Sequence, residues 1–343
     1  MATDGRYNNK YRKKRKFRRR IFFFLFVPLL VLILAATTYG AFLYTKAQSV
    51  VDEAYNPVER NNKRETEVNP DIDNISILFA GIDDSNVRNY SEGSRTDALV
   101  LATFNEKSKS VKLLSIPRDS YVYIPSRGYK DKINHAYGEG GIASTIETIE
   151  ETLEIPIDYY VNMNFNAFIE VVDALGGIEA DVPYELSEKD SQDKHNAINL
   201  QPGIQQLSGE EALALARTRK QDNDIERGKR QQEIIKAVIK KAAHIGSLSK
   251  YSNVMEAIGD NMSTDLSFDE MKALLDYAAE GSSLKVETLS LAGEDGYINN
   301  GSIDVYYYLL DDDALKETKH TLKEHLGLEE ALNEENDPSA HEY

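Results

Sequence analysis

The sequence predicts an α/β fold: an α/β/α layered domain with a central mixed sheet, preceded by one N-terminal transmembrane helix. Two observations support it. Apolar segments of strand length alternate with amphipathic helical segments from residue 75 to residue 327, which is typical of a sheet covered by helices. An uncharged stretch of 25 residues lies ahead of them, at 21–45. No linker-like stretch interrupts 75–327, so we predict a single domain there.

The uncharged stretch is long enough to cross a membrane. At about 1.5 Å per residue, a helix over 21–45 exceeds the roughly 30 Å apolar core of a bilayer. Residues 1–20 hold ten Lys/Arg and one acid, and such a basic flank predicts a cytoplasmic N-terminus. A cleaved signal peptide and a nucleic-acid-binding arm are the alternatives, but signal peptides have shorter apolar cores. We therefore expect a single-pass anchor in the cell membrane with an extracellular domain.

Charge and cysteine content exclude several classes of function. The formal net charge is −17, and residues 1–20 contribute +9, which leaves −26 on the other 323 residues. A strongly acidic body does not suit duplex nucleic acid, whose phosphates require basic surface, so no nucleic-acid partner is expected. The absence of cysteine excludes disulfides, thiolate metal sites and a cysteine nucleophile.

The chain is predicted to have five segments. They are a basic tail (1–20), the transmembrane helix (21–45), a linker with a short helical start (46–74), the domain (75–327) and a disordered acidic tail (328–343). Within the domain, strands are predicted at 75–80, 97–104, 110–116, 157–165, 177–185 and 284–293, and helices at 141–155, 166–177, 208–216, 224–243, 267–280 and 311–327. Asn166 is the expected N-cap of its helix and Gly176 its stop, and Ser267 with Glu270 forms a capping box.

Two carboxylates flank the first pair of strands. Arg95 lies just before the second predicted strand and Asp97 begins it, so the two residues stand two apart and share a face. Asp83 follows the end of the first strand and would meet Asp97 if the strands are neighbours. Two carboxylates at a loop edge are ligands that Mg²⁺ prefers, together with water and substrate phosphates. The alternative is a surface ion pair between Arg95 and Asp97, which contributes little.

Arginines follow in a similar pattern. Arg118 comes directly after the third strand, and Arg217 and Arg219 stand two apart. Arg227 and Gln231 occupy one helix face, with Arg230 beside them. One guanidinium group can bind two phosphate oxygens at once, and it stays charged at neutral pH. These residues and the two acids therefore predict a metal-assisted pyrophosphate site. Solvated surface charge is the alternative for each arginine alone.

Three further features are weaker candidates. His135 could act as a base but is expected to pack in a loop, and Lys132 suits either a phosphate contact or a turn. The glycines of "GEGG" at 138–141 could present backbone amides to an anion at a helix start. The stretch lacks the Lys-Ser/Thr ending of a phosphate loop.

Seven motifs in order resemble the LytR-CpsA-Psr proteins of Gram-positive envelopes, over 75 to about 245. They are "GID" at 81, "RTD" at 95, "SIPRD" at 115, "KINHAYGEGG" at 132, "IDYYVNMNF" at 157, "VDALGGIEADV" at 172 and "LSGEEALALARTRKQDNDIERGKRQQ" at 207. The basic tail and single anchor fit the same family.

The resemblance implies a phosphotransferase that moves a polyprenyl-pyrophosphate-linked anionic glycopolymer, such as teichoic acid or capsule, onto peptidoglycan. It implies that Asp83 and Asp97 hold Mg²⁺, with Mn²⁺ as a substitute, and that either acid is a candidate base. It implies that the pyrophosphate is bound by Arg95, Arg118, Arg217, Arg219, Arg227 and Gln231, with Arg95 and Arg118 also catalytic. The lipid chain is expected in an apolar pocket between sheet and helices. The alternatives are an envelope regulator or transcription attenuator, and a non-catalytic polyprenyl-phosphate binder.

Overall fold

The computed structural model describes residues 27–59, 64, 68–70, 72–82, 96–219, 224–243, 261–280, 284–299, 301 and 303–328. The chain divides into two compact units, residues 1–49 and 50–343. The described part of the first unit belongs to a helix, α1, that runs over Val27–Ala54. Within these described ranges, no helix combines the length and the apolar character needed to cross a membrane.

The second unit contains fourteen strands and six helices within the ranges above. The strands are β1 (Ile75–Ile82), β2 (Thr96–Asn105), β3 (Ser110–Ser115), β4 (Tyr121–Ile124), β5 (Tyr129–Lys132), β6 (Tyr159–Asn164), β7 (Ile178–Val182), β8 (Leu186–Glu188), β9 (Ile198–Leu200), β10 (Gly203–Leu207), β11 (Met262–Thr264), β12 (Lys285–Ser290), β13 (Gly293–Asn299) and β14 (Asp304–Leu310). The helices are α2 (His135–Leu153), α3 (Phe165–Ala174), α4 (Gly209–Arg217), α5 (Asp224–Ala243), α6 (Phe268–Glu280) and α7 (Asp312–Leu326).

Six of the strands form one sheet in the order β11-β6-β1-β2-β3-β12. β1 is parallel to β6 and antiparallel to β2, and β3 is antiparallel to β2 and parallel to β12. The predicted central mixed sheet is therefore confirmed. The remaining described strands form four two-stranded antiparallel sheets: β4-β5, β7-β10, β8-β9 and β13-β14.

Helices cover both faces of the sheet. Alternate residues of β2 point in opposite directions: Leu99 and Leu101 join a core with α2 and α7, whereas Val100 and Ala102 join a second core that includes Tyr277 of α6. α5 lies on this second face, where the Gln232 amide donates to the carbonyls of Leu113 and Leu289. The predicted α/β/α layering follows from these two cores.

The strand directions bring the end of β1, the start of β2 and the end of β3 to one edge of the sheet. β1 ends opposite the start of β2, with Gly81 paired to Ala98. β3 runs antiparallel to β2 and ends at Ser115, which pairs with Val100. The loop after β3 therefore emerges beside the first residues of β2, and this edge carries the candidate site.

One predicted cap is wrong. Asn164, not Asn166, is the N-cap of α3: its side chain accepts a hydrogen bond from the Ala167 amide. The strand β6 turns directly into the helix, so Asn166 lies inside the first helical turn. The predicted Gly176 stop is confirmed by its left-handed backbone just after the helix, with φ of 79°, and the Ser267–Glu270 capping box is also formed.

The predicted linker contacts the domain at several described residues. The Asn56 amide donates to the Thr264 carbonyl at 2.7 Å, and the Arg64 guanidinium pairs with buried Asp158. The part of the acidic tail at 329–343 lies outside the described residues. The subdivision of the chain into five segments stays a prediction.

His325, near the end of α7, is a buried polar residue of the core. Its two ring nitrogens lie 2.8 Å from Thr103 Oγ1 and 2.9 Å from Ser110 Oγ. Burial, with the nearby Lys112 charge, lowers the pKa of His325 to about 4. The folded chain therefore holds this imidazole neutral.

We expect His325 to weaken the fold in mild acid. Unfolded histidine has a pKa of about 6.5, so the stability present above pH 6.5 is lost as the pH falls toward 4, by up to about 3 kcal/mol. Urea denaturation at several pH values should show a smaller decrease for His325→Gln. His320→Gln, on the exposed side of the same helix, is the control and should keep the wild-type slope. Equal slopes for all three proteins would contradict the expectation.

Candidate functional site

Asp97 and Arg118 meet at the sheet edge described above. Arg118 Nη1 donates to Asp97 Oδ1 at 2.5 Å, and both side chains are partly exposed. Asp97 is the second residue of β2, and Arg118 follows the end of β3, so the antiparallel register places them together. The second oxygen of Asp97 has no hydrogen-bond partner among the described residues. The two side chains therefore lie together at this edge of the sheet, and their predicted roles stay predictions.

Three arginines converge on Asp224, the first residue of α5. Its carboxylate lies 3.1 Å from Arg227 Nη1, 3.4 Å from Arg219 Nε and 4.0 Å from Arg118 Nε. We call Arg118, Arg219, Arg227 and Asp224 the arginine cluster. Three guanidinium groups around one carboxylate leave an excess of positive charge, which suits a multiply charged anion.

Close packing places α5 against the end of β3. A side chain at Gly228 would meet the Ser115 hydroxyl at 2.4 Å, so glycine lets the helix approach the end of the strand without displacing the Ser115 side chain. Arg227, the preceding residue, is thereby held next to Arg118. The position of the cluster thus depends on a small residue in the first turns of the helix.

Arg227 is the most buried charge of the cluster. It is 5% exposed, and burial lowers its pKa to about 10, with Arg219 and Arg118 contributing and Asp224 opposing. The group stays charged at neutral pH. The Nε groups of Arg118 and Arg227 are both buried without a hydrogen bond to a described residue, although Arg118 Nε has an ion-pair contact of 3.5 Å with Asp119. Buried donors without partners are rare, and anionic oxygens would satisfy them.

Arg217 and Arg219 lie on different sides of the site. Helix α4 ends at Arg217, and Thr218 is extended, with its hydroxyl donating to Glu188 at 2.6 Å. The Arg217 guanidinium lies 4.4 Å from the centre of the Phe165 ring and has no ion pair with a described residue. This cation–π contact holds Arg217 apart from the arginine cluster.

An apolar cavity of about 200 Å³ opens beside the site. It lies between the sheet and α3, α4 and α5. Its polar lining is confined to Asp97, Asn164, Arg217 and Gln231, and the rest comprises Phe79, Ala80, Gly81, Ala98, Val100, Met163, Phe165, Phe168, Val171, Val172, Leu213, Ala216, Ile234, Ile235, Val238 and Ile239. Asp97 and Arg217 place charge at a cavity whose lining is otherwise mostly apolar. This arrangement suits an amphiphile with an anionic headgroup.

A second pocket, of about 440 Å³, borders the arginine cluster and shares no lining residue with the apolar cavity. We call it the tyrosine pocket. Its lining consists of Pro117, Arg118, Asp119, Lys132, Arg219, Asp224, Ile225, Asp295, Tyr306 and Tyr308. Lys132 pairs with Asp119 at 2.9 Å. Burial raises the pKa of Asp119, but the Lys132 and Arg118 charges outweigh it and leave the pKa lowered overall.

The structure brings together six of the eight residues predicted for the site. Asp97, Arg118, Arg219 and Arg227 are within one network of ion pairs, and Arg217 and Gln231 line the cavity beside it. The Gln231 amide also donates to the Ala216 carbonyl. Asp83 and Arg95 lie outside the described residues, so their predicted roles stay predictions.

The weaker candidates have structural partners. Arg230 donates to the carbonyls of Leu215 and Thr218 at 3.1 and 2.6 Å, so it ties α5 to the segment after α4. His135 begins α2 rather than lying in a loop, and its Nδ1 is 2.9 Å from Asp131. Non-helical backbone at Gly140 and Gly141 interrupts the same helix.

Sequence reasoning missed Asp224 and the cavity lining. The spacing of three residues between Asp224 and Arg227 on one helix predicts an ion pair between them. The cavity had no such signal, because apolar residues at helical spacing in α5 look the same whether they face a core or an empty space.

Comparison with known proteins agrees with the motif assignment. A sequence model described as the LytR-CpsA-Psr family matches residues 41–324. The polyisoprenyl-teichoic acid–peptidoglycan teichoic acid transferase TagT of Bacillus subtilis is 38% identical over 323 residues, which are 92% of this chain and 98% of TagT.

Solved structures of TagT have the same fold. TagT bound to LIIa-WTA matches with a TM-score of 0.68 and 38% identity, over 80% of this chain and 99% of that one. TagT with bound octaprenyl pyrophosphate matches with a TM-score of 0.63 and 36% identity, over the same shares. The family predicted from the motifs is confirmed: this chain belongs to the LytR-CpsA-Psr family.

Proposed function

We propose that this chain is a transferase that moves an anionic cell-wall glycopolymer, of the teichoic acid or capsule type, from a polyprenyl-pyrophosphate carrier to peptidoglycan. The observation that carries the proposal is the contact between an apolar cavity and a cationic site. Asp97 lines the cavity and pairs with Arg118 of the arginine cluster. A lipid chain and its pyrophosphate require these two environments side by side. The relatives named as teichoic acid transferases support the same activity.

The described arginines suit phosphoryl transfer, which depends on positioning and on stabilisation of charge. The acceptor hydroxyl oxygen forms a bond to the phosphorus that carries the polymer. The bond from that phosphorus to the lipid phosphate breaks, and the lipid phosphate leaves with the electron pair. The hydroxyl proton is released to solvent. Arg118, Arg219 and Arg227 are placed to neutralise charge on the leaving phosphate, and the lipid pyrophosphate supplies the activation.

We also propose that Mg²⁺, or Mn²⁺ in its place, assists the reaction. The described donor set fits it: Asp97 has one carboxylate oxygen without a partner at the cavity mouth, and Mg²⁺ sites commonly use one or two carboxylates with substrate phosphates. Within the described part of the chain, no group of three potential metal ligands exists, so substrate oxygens would complete the shell. The ion, when bound, supplies positive charge to the phosphate oxygens. Asp83 is the second proposed ligand.

We propose that residues 21–45 anchor the domain to the outer side of the cell membrane. The sequence there is uncharged, and the large apolar side chains Leu32, Ile33, Leu34 and Phe42 of α1 are each at least half exposed. Exposed apolar side chains in such numbers indicate a lipid or protein environment. Protease added to intact cells should remove the domain and spare the N-terminal tail; a protected domain would reverse the orientation.

Transfer of a labelled polymer tests the function directly. We expect the full chain to move radiolabelled glycopolymer from a polyprenyl-pyrophosphate donor to peptidoglycan glycan, and Arg118→Ala to remove most of this activity. EDTA should stop transfer, and added Mg²⁺ should restore it. Full activity of Arg118→Ala, or no transfer by the wild-type chain, would reject the proposed function. Transfer that persists in EDTA would reject only the metal.

A further inference from the structure

The tyrosine pocket shares Arg118, Arg219 and Asp224 with the arginine cluster, but its other lining residues have no part in the donor recognition proposed so far. It lies against the arginine cluster but shares no lining residue with the apolar cavity. The Arg118–Asp97 ion pair connects the two, since Arg118 lines the pocket and Asp97 lines the cavity. An anion held at the arginine cluster therefore borders the tyrosine pocket through Arg118 and the apolar cavity through Asp97.

The wall of the pocket is a hairpin fixed to the site. β13 and β14 pair from Gly293 with Leu310 to Asn299 with Asp304. The Tyr308 amide donates to the Asp119 carbonyl at 2.9 Å, and its hydroxyl donates to the Leu291 carbonyl. A side chain at Gly293 would overlap the Leu309 carbonyl, so the strands approach closely there. The hairpin is thus tied to the residue next to Arg118.

The lining of the pocket suits a neutral ligand rich in hydroxyl groups. Its three basic residues (Arg118, Lys132 and Arg219) balance its three acids (Asp119, Asp224 and Asp295). The additional positive charge of the arginine cluster is that of Arg227, which does not line the pocket. The Tyr306 hydroxyl donates to Asp295 at 2.8 Å, and burial together with Asp295 raises the pKa of Tyr306, so it stays a phenol. An aromatic ring beside carboxylates and an ammonium group offers packing for the apolar face of a sugar and partners for its hydroxyls.

The path of the attacking acceptor hydroxyl indicates which sugar the tyrosine pocket would bind. In phosphoryl transfer the attacking and leaving oxygens lie roughly in line. The prenyl chain occupies the apolar cavity in the proposed donor complex, so the attacking hydroxyl requires a pocket that meets the arginine cluster without bordering the cavity. A third pocket, lined by Glu188, Lys189, His195 and Arg217 among others, shares Arg217 with the apolar cavity and does not meet this condition. The tyrosine pocket, by contrast, borders the arginine cluster without bordering the cavity.

We propose that the tyrosine pocket binds the acceptor sugar of the glycan strand and directs its hydroxyl toward the arginine cluster, with Tyr306 and Asp295 as binding residues. This inference rests on the proposed function for the identity of the acceptor. It assigns the β13–β14 hairpin the recognition of the acceptor, whereas the cavity and the cluster recognise the donor.

Steady-state kinetics of the full chain with Tyr306→Ala test this assignment. We expect the KM for an oligosaccharide of alternating N-acetylglucosamine and N-acetylmuramic acid to rise about tenfold, while the KM for the lipid-linked donor changes less than about twofold. Tyr306→Phe keeps the ring and should keep the acceptor KM within about threefold. Tyr297→Ala is the control for lost ring packing in the hairpin, because the Tyr297 ring lies 5.7 Å from the Tyr306 ring. Tyr297 is 70% exposed and does not line the pocket.

Binding of the same oligosaccharide without donor, measured by calorimetry, separates this inference from the proposed function. Weaker binding by Tyr306→Ala than by wild type and Tyr297→Ala supports the acceptor subsite, even if the wild-type chain transfers no polymer. An unchanged acceptor KM and unchanged binding in a folded Tyr306→Ala protein would overturn it, even if polymer transfer itself is confirmed. A raised donor KM with an unchanged acceptor KM would place the donor sugar in the pocket and would also overturn it.

Discussion

Replacing Arg227 with methionine is expected to slow polymer transfer by about three orders of magnitude. Arg227 is the buried member of the arginine cluster, and its charge is held at a site from which water is largely excluded. A fixed positive charge in such a site stabilises developing phosphate charge far more than one in water, and single arginines in other phosphoryl-transfer enzymes contribute about 10³-fold or more. The loss should appear in kcat at saturating donor.

The variant should remain folded. Methionine retains much of the apolar stem, and the Asp224 carboxylate keeps Arg219 and Arg118 nearby. Removal of Arg227 also relieves the repulsion and burial that lower its own pKa. The melting temperature is therefore expected to change little.

Arg230 provides the matched control one turn away on α5. It is also buried, but it donates to the backbone carbonyls of Leu215 and Thr218. Arg230→Met should lower the free energy of unfolding by about 1–3 kcal/mol, because these carbonyls lose a charged partner, and should reduce kcat of the folded protein by less than about tenfold. If Arg230→Met slows transfer as much as Arg227→Met does, Arg227 has no special role in the chemistry.

The sheet could be predicted from the sequence because its strands carry strong local signals. The segments at 75–80, 97–104 and 110–116 are short and rich in apolar and β-branched residues, and each forms a strand of the central sheet. The hairpin β13–β14 was missed although its sequence carries two signals: "VYYYLL" at 305–310 is rich in strand-forming residues, and "NG" at 300–301 is typical of a hairpin turn. The tyrosine pocket could not be predicted even so, because it depends on the tertiary contact between this hairpin and the loop after β3.

The site was predictable where it depends on strand ends and not where it depends on helix ends. Asp97 and Arg118 flank strands, and antiparallel pairing brings such flanks together. Arg217 and Arg219 share a face if the chain is extended, but α4 continues through Arg217 and stops there. The two guanidinium groups consequently lie in different pockets, which depends on a helix boundary that propensity locates only to within a few residues.

Filling the apolar cavity is expected to remove binding of the lipid carrier. Ala216→Trp introduces a large ring on the α4 side of the cavity, and the affinity for octaprenyl pyrophosphate should fall about a hundredfold or more. A hundredfold loss is about 2.7 kcal/mol, which corresponds to about three or four methylene groups left outside the cavity at about 0.8 kcal/mol each. A long prenyl chain has many more, so the expected loss is a lower bound.

The length of the prenyl chain supplies the internal control for this variant. Isoprenyl pyrophosphate, with five carbons, depends mainly on the arginines, so Ala216→Trp should bind it within about threefold of wild type. Ala292→Trp, at an exposed position outside the cavity, should bind both ligands normally. Equal losses for the short and long ligands would mean that the tryptophan disturbs the arginine cluster, and no loss for either would mean that the chain enters elsewhere. A loss confined to the long ligand would show that donor recognition has two separable parts, the arginine cluster and the apolar cavity. Only binding in the cavity depends on the length of the prenyl chain.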